Sequence, residues 1–234
     1  MKVVRILTGA LMAVGLLLFC FFGSFKVVVF NRRYINGEMD KLNIAERVSM
    51  TPENLAEVFD EVLNYLEGKR ADLVISTRVD GVEREAFNDR EKAHMVDVLK
   101  LFETGFSLWY AGIGCLVLAL GAVLVCRGHR REMIRACAKS TLFVFAGFLL
   151  LAAVLAILMA VNFDRCFTVF HQLFFNNDLW LLDPRTDLMI NMLPEQFFFD
   201  TAFTIGAAAL GSCLLCLGAS AVLVWRLSDK RKRN

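Results

Sequence analysis

Four long apolar runs restrict what this 234-residue chain can fold into more than any other feature. They are Ile6–Phe25, Phe106–Cys126, Thr141–Phe163 and the Gly- and Ala-rich Thr201–Trp225; the first three contain no charged residue. At a helical rise of about 1.5 Å per residue, each is long enough to cross a hydrocarbon core of roughly 30 Å, and longer than a buried core helix needs to be. The composition, 57% hydrophobic and 21% charged, matters because the apolar residues are pooled in these runs. Pooling excludes an ordinary soluble domain, a disordered chain and a disulfide scaffold. The expected fold class is an all-α membrane protein: a four-transmembrane-helix bundle with a small extracytoplasmic cap, α with a β hairpin, and an aromatic interfacial loop. The first run, within residues 1–30, reads as an uncleaved anchor, since it is too long for a signal-peptide core and lacks a small-x-small cleavage site.

Lys and Arg placement gives the orientation. The N-terminus, the loop 127–140 and the tail 226–234 hold twelve basic residues against Glu132 and Asp229, a surplus of ten. The segments 31–105 and 164–200, with Lys26, carry a deficit of eight, so the bland net charge of +2 is a sum of opposites. The positive-inside rule places both termini in the cytoplasm and the two longer segments on the other side of the membrane.

The first outer segment, 31–105, is long enough to fold. Thr51-Pro52-Glu53 is a helix start, with a hydroxyl cap, proline at the first helical position and an acid in the first turn. Leu55, Val58, Phe59, Val62, Leu63 and Leu66 follow at helical spacing, and Gly68 supplies the stop. Asp80-Gly81 between Leu73–Val79 and Val82–Phe87 predicts a hairpin. Asn88 and Glu91 form a capping-box pattern opening a helix that continues through His94 and Asp97 into the second span. The second outer segment is aromatic: Phe163, Phe167, Phe170, Phe174, Phe175, Phe197, Phe198, Phe199 and Trp180 crowd it. Such residues favour the headgroup layer, as an anchoring belt or as the wall of a lipid cleft.

Of three histidines, His129 lies among cytoplasmic arginines, whereas His94 and His171 fall one in each outer segment. A pair near neutral pKa suits general acid/base work. Glu91 and Asp97, three residues either side of His94, are spaced to orient its imidazole on one helix face. The alternatives are two polar residues at helix ends with no chemical role, or a heme or metal pair lacking further ligands. Among the seven cysteines, Cys213-x-x-Cys216 sits past the bilayer centre with no outer shuttle pair, so it reads as small-residue packing, not as a thiol redox centre.

Two stretches carry a family likeness. Asn88-Asp-Arg-Glu91-Lys-Ala-His94-Met95-Val-Asp97-Val98 resembles a Glu-x-x-His-Met-x-Asp-Val motif of the bacterial lipoprotein intramolecular transacylases, the Lit family. Phe170-His171-Gln-Leu-Phe174-Phe175-Asn-Asn-Asp178-Leu-Trp180-Leu-Leu-Asp183-Pro184-Arg-Thr-Asp187 resembles it too, as do Leu193-Pro194-Glu195, Phe197-Phe198 and Tyr65-Leu66-Glu67-Gly68. The resemblance implies an acyltransferase that moves the sn-2 acyl chain of a lipoprotein's diacylglyceryl group to the α-amine of its N-terminal cysteine. It implies His94 and His171 as catalytic residues by motif position. With them go Glu91 and Asp97 as orienting groups, and Phe170, Phe174, Phe175 and Trp180 as the lipid-binding wall. A diacylglyceryl lipoprotein and membrane phospholipid are the expected partners; no cofactor, metal or nucleic acid is expected, and no oligomeric state is assigned. His94 is the expected base and His171 the acid or oxyanion stabiliser, roles that the sequence leaves exchangeable. A non-catalytic scaffold or sensor, or a heme, metal or thiol redox membrane protein, are the competing classes.

Overall fold

The computed structural model describes the backbone of residues 1–232 and side chains through Ser228; the tail charges Lys230, Arg231, Lys232 and Arg233 therefore lie outside the described side chains. In chain order the elements begin α1 (Lys2–Val29), α2 (Arg32–Lys41), α3 (Ile44–Arg47), α4 (Pro52–Leu66), β1 (Ser76–Val79) and β2 (Val82–Glu85). They continue with α5 (Asp89–Val125), α6 (Arg130–Val161), α7 (Phe163–Phe174), α8 (Leu188–Met192) and α9 (Glu195–Lys232). The chain is 79% helical with one small antiparallel hairpin. Helices α1, α5 and α9, and α6 with the 3-10 turn Arg127–His129 before it, each contain an apolar stretch long enough to cross a membrane. It is a membrane-integral, all-α protein, and the four spans are those expected from the sequence.

Two helices end short of the expected spans, while the other span ends lie inside longer helices. The second span stops at Val125, and Cys126 precedes the 3-10 turn Arg127–His129. The third ends at Val161, not Phe163, because the Asn162 side chain accepts a hydrogen bond from the Arg165 N–H (2.9 Å) and starts a new helix. An Asn cap in place of another helical turn thus ends α6 and opens α7.

The chain divides into two compact units. One comprises Met1–Lys26, Gly105–Ile157 and the chain from Thr204. Within it, α1 and α5 approach closely: a Cβ placed on Gly112 would lie 2.9 Å from Leu18 Cβ and 3.1 Å from the Gly15 carbonyl oxygen. Small residues let the two backbones meet, which is how helices gain packing where lipid offers no hydrophobic drive. Cys20 on α1 and Cys216 on α9 lie 3.8 Å apart, sulfur to sulfur.

The other unit comprises Val27–Thr104 and Leu158–Phe203, so the two longer segments between the spans are one body. Its core joins Ile35, Val58, Phe59, Phe87 and Met95 of the first segment to Leu188, Met189, Met192 and Phe197 of the second. The aromatic segment is accordingly not a loop throughout; it holds α7, an irregular stretch over 175–187, then α8 and the start of α9. Helix α4 begins as expected, with the Thr51 hydroxyl accepting from the Asn54 N–H at 3.2 Å. The hairpin turns on Asp80 (φ 53°) and Gly81 (φ 75°), a left-handed pair that Asp-Gly adopts readily. The strands are shorter than the flanking apolar runs; beyond them Ile75 still accepts from the Ala86 N–H at 2.8 Å, and both enter the core with Leu73 and Phe87.

Candidate active site

Helix α5 starts with the reciprocal capping box the sequence predicts. The Glu91 N–H donates to the Asn88 side-chain oxygen (3.0 Å), and the Asn88 N–H donates to Glu91 Oε2 (2.8 Å). The other Glu91 oxygen accepts from the Met189 N–H at 2.6 Å, at the first turn of α8. Burial pushes the Glu91 carboxyl above the usual carboxylate range, against these N–H bonds, which favour its charged form. Its two oxygens are therefore committed to the backbone. They clasp α5 to α8 and do not bond to His94.

One turn further along, outside the membrane-spanning part of α5, His94 is 7% exposed. His171, on α7, is equally buried at 7%. The two imidazole centroids are 6.1 Å apart with the rings inclined at 33°. Phe175 closes on both, 5.2 Å from His94 and 5.5 Å from His171. Trp180 covers His171 from another side at 4.9 Å, and Phe167, one turn back along α7, lies at 4.2 Å. The structure thus brings together the two histidines that the sequence placed 77 positions apart.

The aromatic surround has an electrostatic consequence. Burial lowers the His94 pKa to about 4, helped by the second imidazole and opposed by the Asp97 charge. Burial also lowers that of His171, opposed by a hydrogen bond between its Nδ1 and the Phe167 carbonyl oxygen at 2.7 Å. A carbonyl oxygen only accepts, so His171 carries its proton on Nδ1 and has a free lone pair on Nε2. His94 differs: its Nδ1 is buried with no hydrogen-bond partner among the described residues. Both shifts favour the neutral ring.

The remaining predicted site residues divide by position. Asp97 reaches His94 only through its charge; its hydrogen bonds go to Lys100 Nζ (3.0 Å) and to the Asn177 side-chain amide (2.8 Å). Those two bonds hold its carboxyl below the usual range. Phe170 packs edge-on to His171 at 5.4 Å. Phe174 touches Phe170 at 4.8 Å, is half exposed, and belongs with Val169, Leu173 and Leu181 to an outward apolar face. A depression of about 410 Å³ beside the hairpin base, lined by Arg84, Lys92 and Thr186 among others, includes neither histidine.

Sequence reasoning missed the groups that assemble the site. Asp187 accepts from the Asn88 amide (2.8 Å), the Asp183 N–H (2.7 Å) and the Thr186 hydroxyl (2.9 Å). Burial works against its charge, but these bonds together hold its carboxyl below the ordinary value. Asn177 is the second missed group, Phe167 the third. Asn177 and Asp187 lie in the stretch that carries the family likeness, but nothing in the sequence pairs them with Asp97 or Asn88; Phe167 stands four residues before His171, a spacing that becomes a contact only once α7 forms.

The sequence profile of the family described as lipoprotein intramolecular transacylase Lit matches residues 10–198, a range that includes both histidines and every tie just described. The chain belongs to that family. Membership makes it an acyltransferase. It is similar in fold to the in meso structure of the membrane integral lipoprotein intramolecular transacylase Lit from Bacillus cereus, with a TM-score of 0.70 and 24% identity over 100% of this chain and 98% of that one. Two further structures of the Bacillus cereus protein carry a mutated histidine. The histidine-to-arginine form matches with a TM-score of 0.71 at 24% identity, and the histidine-to-alanine form with 0.68 at 23%. Both cover 100% of this chain and 96% of theirs. No curated protein sequence matches the chain.

Proposed function

We propose that the chain transfers the sn-2 acyl chain of a lipoprotein's diacylglyceryl group to the α-amine of its N-terminal cysteine, with His94 and His171 as the catalytic residues. The observation that carries this reading is the enclosed pair of imidazoles, 6.1 Å apart, one with its proton placed by a backbone carbonyl. Amine and ester already belong to one molecule, so the site has to fold the linkage into attack geometry and manage one proton. The amine nitrogen bonds to the sn-2 carbonyl carbon while His171 Nε2 takes the amine proton. The carbon–oxygen bond to glycerol then breaks, and the same proton passes to the departing sn-2 oxygen. This leaves an N-acyl, S-monoacylglyceryl lipoprotein.

His94 serves as the donor to the oxyanion. An orphaned buried N–H is costlier than an under-used acceptor, so its unpartnered Nδ1 favours the tautomer with the proton on Nε2. A pKa of about 4 keeps that ring neutral, so it acts as a hydrogen-bond donor and not as an imidazolium. These roles reverse the assignment first drawn from the sequence. Phe175 covers both rings and is the side chain an entering ester displaces. The exposed apolar face of Phe170, Leu173 and Phe174 holds the acyl chains in the outer leaflet, with both termini cytoplasmic and the site extracytoplasmic.

Mass spectrometry of lipoproteins from bacterial cells expressing the chain tests this. N-terminal lipopeptides convert from the diacyl to the lyso form, and His94→Ala or His171→Ala abolishes conversion at unchanged membrane abundance. Full conversion by either variant refutes the role of that histidine.

A further inference from the structure

Between α7 and α8 the chain runs without helix across residues 175–187, yet it carries two of the aromatic rings that enclose the histidines. Asn177 organises this stretch. Its side-chain amide donates to Asp97 Oδ2 at 2.8 Å, and its side-chain oxygen accepts from the Leu179 N–H at 3.1 Å. Its backbone carbonyl accepts from the Trp180 indole N–H at 3.0 Å. The neighbouring Asp178 carbonyl accepts from Arg90, which is also on α5. The indole so held lies 4.9 Å from the His171 ring, inclined at 32°.

Rotation of the His171 ring is limited by the Phe167 carbonyl at one edge and by the faces packed on it. Trp180 is one of two packed rings supplied by the irregular segment, the other being Phe175, and its one polar atom is spent on Asn177. We propose that Asn177 is a positioning residue for the acyl transfer: anchored on Asp97, it seats the Trp180 indole against His171 and so fixes the imidazole that takes the proton. The proposal rests on His171 acting in the reaction. It gives Asp97 a different task from orienting His94, namely anchoring the segment that covers the second histidine. The Lys100 ammonium beside Asp97 keeps that anchor charged.

A reciprocal exchange tests it. Asn177→Asp sets two carboxylates against each other. Combining it with Asp97→Asn restores an amide–carboxylate bond with donor and acceptor exchanged, and leaves an oxygen for the Leu179 N–H. Two measurements on the full-length protein apply: conversion of a synthetic diacylglyceryl lipopeptide in proteoliposomes, and emission of Trp180 against pH in a Trp109→Phe, Trp225→Phe background. An imidazolium in contact with an indole quenches it, so emission reports His171 protonation without turnover. Asn177→Asp is expected to erase the emission step and slow conversion roughly 10- to 100-fold, the scale of a small misplacement near reacting groups. The double exchange restores both. An emission step that persists in Asn177→Asp, or a rate that the double exchange fails to restore, overturns the role of Asn177. Undiminished conversion by His171→Ala overturns instead the histidine reading on which the proposal stands.

Discussion

Acidification should destabilise the unit that holds the histidines through His94, and the size of the effect follows from its enclosure. In the unfolded chain an imidazole takes up its proton as the pH falls through about 6.5. In the folded protein His94 waits until about pH 4, because Phe175 and its other neighbours exclude water and the second imidazole adds its own penalty. The folded pKa is depressed, so the unfolded state binds the extra proton between these values. Stability is whole above pH 6.5 and is lost progressively down to pH 4. A gap of about 2.5 units at 1.36 kcal/mol each amounts to about 3 kcal/mol, and His171 adds to the loss with the same sign.

With only three histidines in the chain, [15N]histidine NMR of the full protein in micelles resolves each ring, and substitution assigns it. His94 should remain neutral to near pH 4. Removing the charge of its neighbour by His171→Gln should move its midpoint upward. Thermal melts at stepped pH should show the acid loss shrinking by about 3 kcal/mol in His94→Gln, the value set by the same gap. A His94 midpoint at 6.5 or higher, or an acid slope that His94→Gln leaves untouched, refutes the account of an enclosed neutral imidazole.

Two other substitutions separate structural from chemical roles. Glu91→Gln keeps one acceptor oxygen but turns an NH2 toward either the Asn88 or the Met189 N–H. Leaving one buried donor unsatisfied should cost about 1–3 kcal/mol in a melt while the pH profile of conversion stays in place; a displaced profile at unchanged stability would instead make Glu91 a partner of His94. Gly112→Val forces α1 and α5 apart and should cost about 1–3 kcal/mol of resistance to thermal denaturation in detergent. Gly114→Val, with nothing within 4 Å of its Cβ, should be neutral, and equal melting of the two variants would contradict the close helix contact.

Features encoded within three or four residues were legible in the sequence. The Thr51 cap, the Asp80-Gly81 turn and the Asn88–Glu91 box each satisfy backbone groups next to themselves, so composition and spacing suffice. The spans were legible for another reason: in lipid, a helix is the way a single segment satisfies its own backbone. What stayed hidden depends on distant partners. Glu91 has the spacing to reach His94, yet Met189, 98 residues away, offers a backbone N–H that takes its free oxygen. Asp97 was likewise drawn off by Asn177, 80 residues on. Both carboxylates lie where the i, i+3 rule puts them, but that rule ranks neighbours on one helix and says nothing of a second segment folding over it. The histidines themselves were found because the chain has three, of which two fall one in each long segment between the spans and within the family motifs; their tautomers were not, since those depend on a main-chain oxygen.

That oxygen bears on how such a protein withstands mutation. An acidic side chain holding an imidazole can be lost through a single codon change, and its conservation advertises its role. The Phe167 carbonyl offers no such handle: any residue at that position presents the same atom, so long as α7 keeps its turn. Alanine at position 167 would remove the ring packed on His171 and leave this bond in place, so scanning side chains does not reveal it. Drift in the surrounding side chains can run far before it disturbs the placement of this proton. Losing it requires unwinding the helix, by a proline in its middle for instance, and not merely changing a residue.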